Sequence, residues 1–252
     1  MKEYLPRLID RALENKLKGK GAVLIQGPKW CGKTTTAEQF AKSVLYMDKP
    51  ERKAQNIQLA DISPSTLLEG ETPRLIDVWQ IAPKLWDEVR FAVDHRNGKG
   101  HFILTGSSVP ADLSETSHSG TGRFAWLTMR NMSLFESKES TGEVSLKDLF
   151  DGKQDVSGIS TLDINRIVYL VCRGGWPDTL NLEEEIALEA AFDYLDGVVN
   201  SDISRVDNTN RDPERARRRI MRSYARNQGS QVAYTEIAKD ISTNELKFTV
   251  KR

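Results

Sequence analysis

One octapeptide constrains the fold more than any other part of the sequence: Gly27-Pro28-Lys29-Trp30-Cys31-Gly32-Lys33-Thr34. It follows a short apolar run at residues 22–25 and precedes a helix-permissive stretch at residues 33–42. A loop with this glycine and lysine spacing, held between a strand and a helix, wraps its backbone N–H groups around phosphates. The positive end of the following helix faces the same anion. The octapeptide therefore predicts a strand–loop–helix unit that binds the phosphates of a nucleotide.

The last residues of the loop have distinct chemical roles. Lys33 supplies a positive charge to the β and γ phosphates, and the Thr34 hydroxyl is a ligand for Mg²⁺. A nucleoside triphosphate and Mg²⁺ are therefore the ligands that we predict. Cys31 lies at the start of the helix, where the thiolate is favoured, so its alkylation is predicted as well. The predicted nucleotide-binding residues are Gly27, Pro28, Lys29, Trp30, Cys31, Gly32, Lys33, Thr34 and Thr35.

Short apolar runs alternate with helical patterns up to about residue 105. The first helix is predicted from apolar residues at helical spacing between Leu5 and Leu17, and further helices begin at Ser63-Pro64 and at Pro83. This alternation predicts an α/β fold, with a parallel sheet and helices on both of its faces. Strands are predicted at residues 22–25, 44–47, 74–77 and 101–105, and a β-prone stretch follows at residues 124–129.

Polar residues at the ends of these strands complete the predicted site. Asp77 ends the run Arg74-Leu75-Ile76 and is predicted to hold the magnesium. Thr105 or Ser107, after the next strand, can contact the γ-phosphate or the attacking water, and the sequence does not decide between them. Arg123 follows a glycine-rich loop from which an arginine could neutralise transition-state charge. The predicted catalytic set is Lys33, Asp77, Thr105 and Arg123.

Composition excludes several other classes of function. The 36 Lys and Arg residues balance 36 Asp and Glu residues, so the chain is not a wholesale polyanion binder. No apolar run is long enough to cross a membrane, and residues 1–20 lack the features of a secretory signal, so a cytoplasmic protein is expected. The two cysteines and three histidines have neither zinc-ligand spacing nor the pattern of a disulfide framework.

The second half of the sequence has a helical pattern. Helices are predicted at about residues 161–172, 182–203, 212–227 and 233–241. Residues 211–226 hold seven arginines against two acidic residues, which indicates either contact with DNA or a solvated helix face. The predicted domains are a nucleotide-binding core at residues 1–135, a small helical lid at 136–210 and a partial winged helix at 211–252.

The segments GPKWCGKTT, RLIDVWQIAP, FILTGSS, HSGTGR, MSLFES and RGGWPDTL occur in this order. Together they resemble the prokaryotic AAA-family ATP-binding proteins that carry a C-terminal nuclease-like domain of unknown function. The resemblance implies an AAA+ type P-loop ATPase core, a helical lid that contains residues 173–177, and a winged helix. It also implies that Lys33 and Thr34 bind phosphate and Mg²⁺, that Asp77 is the acidic magnesium residue, that Thr105 or Ser107 is the sensor, and that Arg123 is an arginine finger.

The sequence departs from this family at two points. Val78 stands where family members have the glutamate that polarises the attacking water, and Gln80 could orient a water without taking its proton. The sequence also ends within the expected winged helix, so a truncated form without the nuclease-like domain is expected. We therefore expect an ATP·Mg-binding ATPase with weak hydrolysis that couples nucleotide state to lid movement. The alternatives are a nucleotide-dependent DNA-binding switch with negligible turnover and, with less support, a small-molecule kinase; a homo-oligomer would allow Arg123 to act on a neighbouring subunit.

Overall fold

The computed structural model describes residues 3–107, 120–202 and 220–248. Its centre is a parallel sheet of five strands in the order β2-β3-β4-β1-β5. The central strands are paired in register, so that Ile25 of β1 lies opposite Thr105 of β4, which lies opposite Asp77 of β3. The strands are β1 (Ala22–Gly27), β2 (Ser43–Tyr46), β3 (Arg74–Asp77), β4 (Phe102–Ser107) and β5 (Phe124–Thr128).

Both faces of the sheet are covered by helices, as the alternating pattern predicted. One face packs against α1 (Asp10–Gly19) and α2 (Lys33–Phe40), and alternate residues of the strands, such as Val23 and Ile103, lie in that layer of the core. The other face packs against α3 (Lys53–Ile62), α4 (Pro64–Leu67) and α5 (Lys84–His95). Strands buried on both sides have continuous apolar runs, which is why the short runs in the sequence identified them.

The first helix begins later than predicted. Residues 5–9 precede α1, which starts at Asp10. The Asp10 carboxylate accepts a 2.8 Å hydrogen bond from the backbone N–H of Arg7, so this part of the chain turns before the helix begins. Pro6 has no N–H to contribute to a helix. Only the second part of the segment from Leu5 to Leu17 is therefore helical.

Helix α3 was not predicted, and the helix predicted to begin at Ser63-Pro64 is the short α4, which ends at Leu67. Helix α3 has few apolar residues, and Asn56 is buried within it by donating its side-chain N–H to the carbonyl groups of Tyr46 and Met47. Because a polar contact holds α3 in place, its apolar residues do not recur at helical spacing. The helices were predicted from that spacing, so α3 was missed.

The chain after the sheet is helical. It contains α6 (Leu146–Phe150), α7 (Ile164–Arg173), α8 (Glu184–Gly197) with a π-helical turn at Val198–Asp202, α9 (Arg222–Arg226) and α10 (Tyr234–Phe248). Contacts divide the chain into two compact units, Met1–Glu184 and Glu185–Arg252. The predicted division at residues 135 and 210 stays a prediction, as does the winged helix. Among the described helices, none has the length and apolar character needed to cross a membrane.

Candidate functional site

The loop between β1 and α2 has the backbone shape that its glycines allow. Gly27 and Gly32 have φ angles of 156° and 97°, where a side chain is disfavoured. A Cβ atom on Gly27 would lie 2.1 Å from the carbonyl oxygen of Met129, so the loop also passes close to the end of β5. Pro28, Lys29 and Trp30 are exposed. The loop therefore leaves its outer surface open to a ligand.

Lys33 lies over the loop from the first turn of α2. Its Nζ donates hydrogen bonds to the carbonyl oxygens of Gly27, at 3.0 Å, and of Pro28, at 2.7 Å. Partial burial lowers the pKa of Lys33, and the nearby Cys31 and Asp77 act in the opposite direction. An anion in the loop would restore the charge balance around this ammonium group, which is the chemistry predicted for the residue.

Three side chains from three different elements meet beside the loop. Oδ1 of Asp77, at the end of β3, accepts a 2.8 Å hydrogen bond from the hydroxyl of Thr34 and a second hydrogen bond from the hydroxyl of Thr105. Burial raises the pKa of Asp77; the two hydroxyl donors lower it, whereas the negative charges of Asp48 and Glu38 raise it further. The structure thus brings Lys33, Thr34, Asp77 and Thr105 together as predicted, although their roles remain proposals.

The donor set beside the loop fits magnesium. Mg²⁺ in nucleotide sites is held by one or two protein oxygen ligands together with phosphate oxygens and water. Thr34 and Asp77 supply a hydroxyl and a carboxylate at one point. Within the described residues no three His, Cys, Asp or Glu side chains form a metal cluster, and a nucleotide-bound magnesium ion does not require one.

Arg7 and Glu136 are residues of the site that the sequence analysis missed. The buried guanidinium of Arg7 donates to Oε1 of Glu136 at 3.0 Å, to the Cys31 carbonyl in the phosphate loop at 2.6 Å, and to the Arg130 carbonyl at 2.8 Å. Burial raises the pKa of Glu136, but hydrogen bonds from the backbone of Ser133 and Leu8 and from other donors outweigh it and leave the pKa low. No local pattern in the sequence links positions so far apart.

A cavity of about 440 Å³ lies beside the loop, and a cavity of this size can hold a drug-sized ligand. It is lined by the N-terminal segment at residues 3–7, by the start of α2, by residues 132–138 and by residues 177–181. Tyr4 is fixed in its wall by hydrogen bonds to Asp10, at 2.8 Å, and to Thr36, at 3.1 Å. Of the predicted ligand-binding residues, Gly32 and Thr35 line this cavity.

Arg123 is not part of this group. It precedes β5, whose first residue, Phe124, lies opposite Ala22 at the start of β1. The phosphate loop follows the other end of β1, about 16 Å away along the strand. Arg123 instead donates a 2.8 Å hydrogen bond to Asp94. The structure therefore does not bring Arg123 to the loop of its own chain.

Two further predictions have different outcomes. Cys31 is fully buried, and burial raises the pKa of its thiol, so the structure argues against the predicted alkylation. A helix N-terminus favours thiolate only where solvent reaches the sulfur. Ser107 ends β4, but its side chain lies outside the described residues. The structure therefore places Thr105 beside Asp77 and does not test Ser107.

The arginine-rich stretch is described only in part. Residues 211–219 lie outside the described residues. In the described remainder, Arg226 forms a 2.5 Å ion pair with Asp240 of α10. Contact with DNA therefore stays a prediction.

The parallel sheet, the glycine-bounded loop at the end of its first strand and the helical region that follows define a P-loop NTPase fold. Residues 19–138 match the family model described as an AAA domain, and residues 164–250 match a domain of unknown function, DUF8612. The segment at residues 19–138 is therefore similar to AAA domains. The nuclease-like domain expected from the resemblance is not shown by either match.

The solved structures that are similar to the chain include two archaeal ATPases. A Walker-type ATPase of Pyrococcus abyssi aligns with 95% of this chain and 89% of its own, at 14% identity and a TM-score of 0.49. A STAND signal-transduction ATPase of Pyrococcus horikoshii, with a tetratricopeptide repeat sensor, aligns with 79% of this chain and 34% of its own, at 15% identity and a TM-score of 0.42. No curated protein matches the sequence.

Proposed function

We propose that this protein binds ATP with Mg²⁺ at the phosphate loop and hydrolyses it slowly. The observation that carries the proposal is the contact of Thr34 and Thr105 with one oxygen of Asp77 beside Lys33. Lys33 and the loop amides would hold the phosphates, while Thr34 and Asp77 would hold the metal, which neutralises charge on the phosphate oxygens. The cavity beside Gly32 and Thr35 would receive the nucleoside.

Slow turnover follows from the residue after the magnesium aspartate. Val78 cannot accept a hydrogen bond from water, so this position contributes no general base. General-base assistance typically contributes about 10² to 10⁴-fold to a rate. We therefore expect tight binding of ATP·Mg²⁺ with turnover well below about one per minute.

The segment at residues 174–181 would sense the nucleotide. Met132 donates a 2.7 Å backbone hydrogen bond to Gly175, and Pro177 and Asp178 line the cavity. A nucleoside that fills the cavity would contact this segment and the loop at once, which couples nucleotide state to the position of the predicted lid.

Lys33→Ala tests the proposal. A charge-assisted contact is worth about 1.5 to 3 kcal/mol, or about ten- to a hundredfold in affinity, so calorimetry should detect a large loss of ATP binding. Lys42→Ala is the control, because Lys42 is exposed and lies outside the loop. Unchanged affinity in the Lys33 variant would refute the proposed nucleotide site.

Arg123 is proposed to act on the nucleotide of a neighbouring copy, because it lies at the far edge of its own sheet. Arg123→Ala should then lower turnover with little change in ATP affinity, and the turnover of the unmodified protein should rise with protein concentration. An equal loss of affinity, or turnover per molecule that does not depend on concentration, would contradict this role.

A further inference from the structure

A tight turn follows the magnesium aspartate, and its first residue is in an unusual conformation. Val78 has a φ angle of 56°, in the left-handed region that β-branched residues rarely adopt. Its backbone N–H donates a 3.0 Å hydrogen bond to the carbonyl of Thr105, and a single 3₁₀ turn, Trp79–Ile81, follows. Strained backbone of this kind persists where the surrounding structure requires it, and it occurs frequently in functional sites.

The packing of the turn fixes the residue at its centre. Trp79 is 2% exposed and its ring lies 5.1 Å from that of Trp86, while Ile81 packs against the same part of the core. Gln80, between these two anchors, extends over the end of β4. A Cβ atom on Gly106 would lie 1.8 Å from Nε2 and 2.5 Å from Oε1 of Gln80. The amide group of Gln80 therefore occupies the space that a side chain at position 106 would fill.

This position faces the site from the side opposite α2. Gly106 lies opposite Gln26 in β1, one residue before the phosphate loop, and directly follows Thr105. Successive residues of a strand point to opposite faces of the sheet, so Thr105 points toward α2 and the Gln80 amide lies on the α5 face. Gln80 therefore lies at the end of the sheet that carries the phosphate loop, on the face opposite Thr105. A water that attacks in line with the leaving group needs a polar group that holds it away from that group.

We propose that Gln80 orients the water that attacks the terminal phosphate. The inference rests on the proposed function. The Gln80 amide would accept a hydrogen bond from the water through Oε1, but it cannot take a proton. The water oxygen forms the new bond to the γ-phosphorus as the bond to the bridging oxygen breaks. ADP leaves with that electron pair, and the water's proton passes to a phosphate oxygen. Orientation without a base is consistent with slow turnover.

Gln80→Ala tests the inference in the full chain, with Gln55→Ala on the exposed side of α3 as the control. Single-turnover hydrolysis should fall by about tenfold or more, while the affinity for ATP·Mg²⁺ stays within about twofold. A second readout does not depend on turnover: affinity for Mg·ADP·fluoroaluminate, which mimics the transition state, should fall by about tenfold with ADP affinity unchanged.

Gly106→Ala is an independent variant that leaves Gln80 in the sequence. Its new methyl group would displace the flexible Gln80 amide, so it should reproduce the effect, and the double variant should be no slower than Gln80→Ala alone. The role of Gln80 is refuted, while nucleotide binding stands, if the unmodified protein binds ATP·Mg²⁺ and Gln80→Ala hydrolyses it equally fast. The same conclusion follows if the unmodified protein binds ATP·Mg²⁺ but does not hydrolyse it. If ATP does not bind, the proposed function is refuted, and the inference with it.

Discussion

The hydroxyl of Thr34 donates a 2.8 Å hydrogen bond to Oδ1 of Asp77, although 43 residues separate the two in sequence. Thr34 belongs to the first turn of α2 and Asp77 ends β3, so the contact joins the helix that follows the phosphate loop to the end of β3. Thr105 donates to the same oxygen from β4. The carboxylate is therefore oriented in the protein alone, and a metal would meet it already in place.

Asp77→Asn should stabilise the protein without nucleotide. Burial raises the pKa of Asp77, so its contribution to stability is fully present below the ordinary aspartate pKa and is lost as the pH rises through the raised value. At neutral pH the ionised carboxylate is therefore a cost, which asparagine removes while keeping an oxygen for both hydroxyl donors. We expect the melting temperature to rise by about 2–4 °C. A lower melting temperature in scanning calorimetry would contradict this account.

The same pKa shift predicts how nucleotide binding depends on pH. Protons compete with Mg²⁺ for Asp77 at a higher pH than for an exposed aspartate, so Mg²⁺-dependent ATP affinity should weaken as the pH falls from neutrality toward the raised pKa. Titrations in the presence and absence of Mg²⁺ at each pH measure the effect. In Asp77→Asn the Mg²⁺-dependent part should be lost at every pH.

Val78→Glu should raise phosphate release by about tenfold or more with little change in ATP affinity, because it adds a general base beside Asp77. Position 78 is only half-buried, and glutamate lacks the β-branching that disfavours its left-handed backbone. Steady-state phosphate release measures the effect. Val78→Gln has nearly the same shape without a base, so an equal gain in that variant would exclude base catalysis. Brisk hydrolysis by the unmodified protein would show that the reasoning from Val78 is wrong.

Arg7→Lys should destabilise the fold and loosen the phosphate loop. A lysine ammonium keeps the charge but cannot reproduce the three contacts that the Arg7 guanidinium makes with Glu136, Cys31 and Arg130, and each buried acceptor left unpaired costs about 1–3 kcal/mol. Urea denaturation measures the loss. Lys18→Gln is the control, since it removes an exposed pair with Glu14 and should change stability little. Equal effects of the two substitutions would refute the structural role of Arg7.

Thiol modification should distinguish the two cysteines. Cys172 is exposed on α7, whereas Cys31 is fully buried with a raised thiol pKa. In the native protein a thiol reagent should modify Cys172 rapidly and Cys31 only after unfolding. The variant Cys172→Ser should therefore be nearly unreactive until urea is added. Rapid labelling of that variant under native conditions would contradict the burial of Cys31.

The central part of the site was predictable because its residues have local signals. The glycine and lysine spacing identified Lys33 and Thr34, and short apolar runs ending in polar residues identified Asp77 and Thr105. In a parallel sheet such residues meet at one edge whatever the lengths of the connections between them. The sheet and the helices on both faces followed from the same alternation.

The remainder depended on long-range contacts that a single sequence does not display. Arg7 lies in no motif, and the segment MSLFES that contains Glu136 gives no sign of a partner at residue 7. The burial of Cys31 depends on the layer of residues that pack over it. The position of Gln80 over Gly106 required the left-handed Val78, and a valine gives no sign of such a conformation in sequence.

The contact between Arg7 and Glu136 also bears on how the chain acquires its final structure. It closes a separation of 129 residues, and the Arg7 contact with Cys31 closes one of 24. Contacts between such distant residues form late in folding, because the entropy of closing the intervening chain is lost before the contact forms. During synthesis the phosphate loop emerges long before Glu136 does. The loop therefore takes its mature shape only when the last strand of the sheet and the segment after it have been made and have docked.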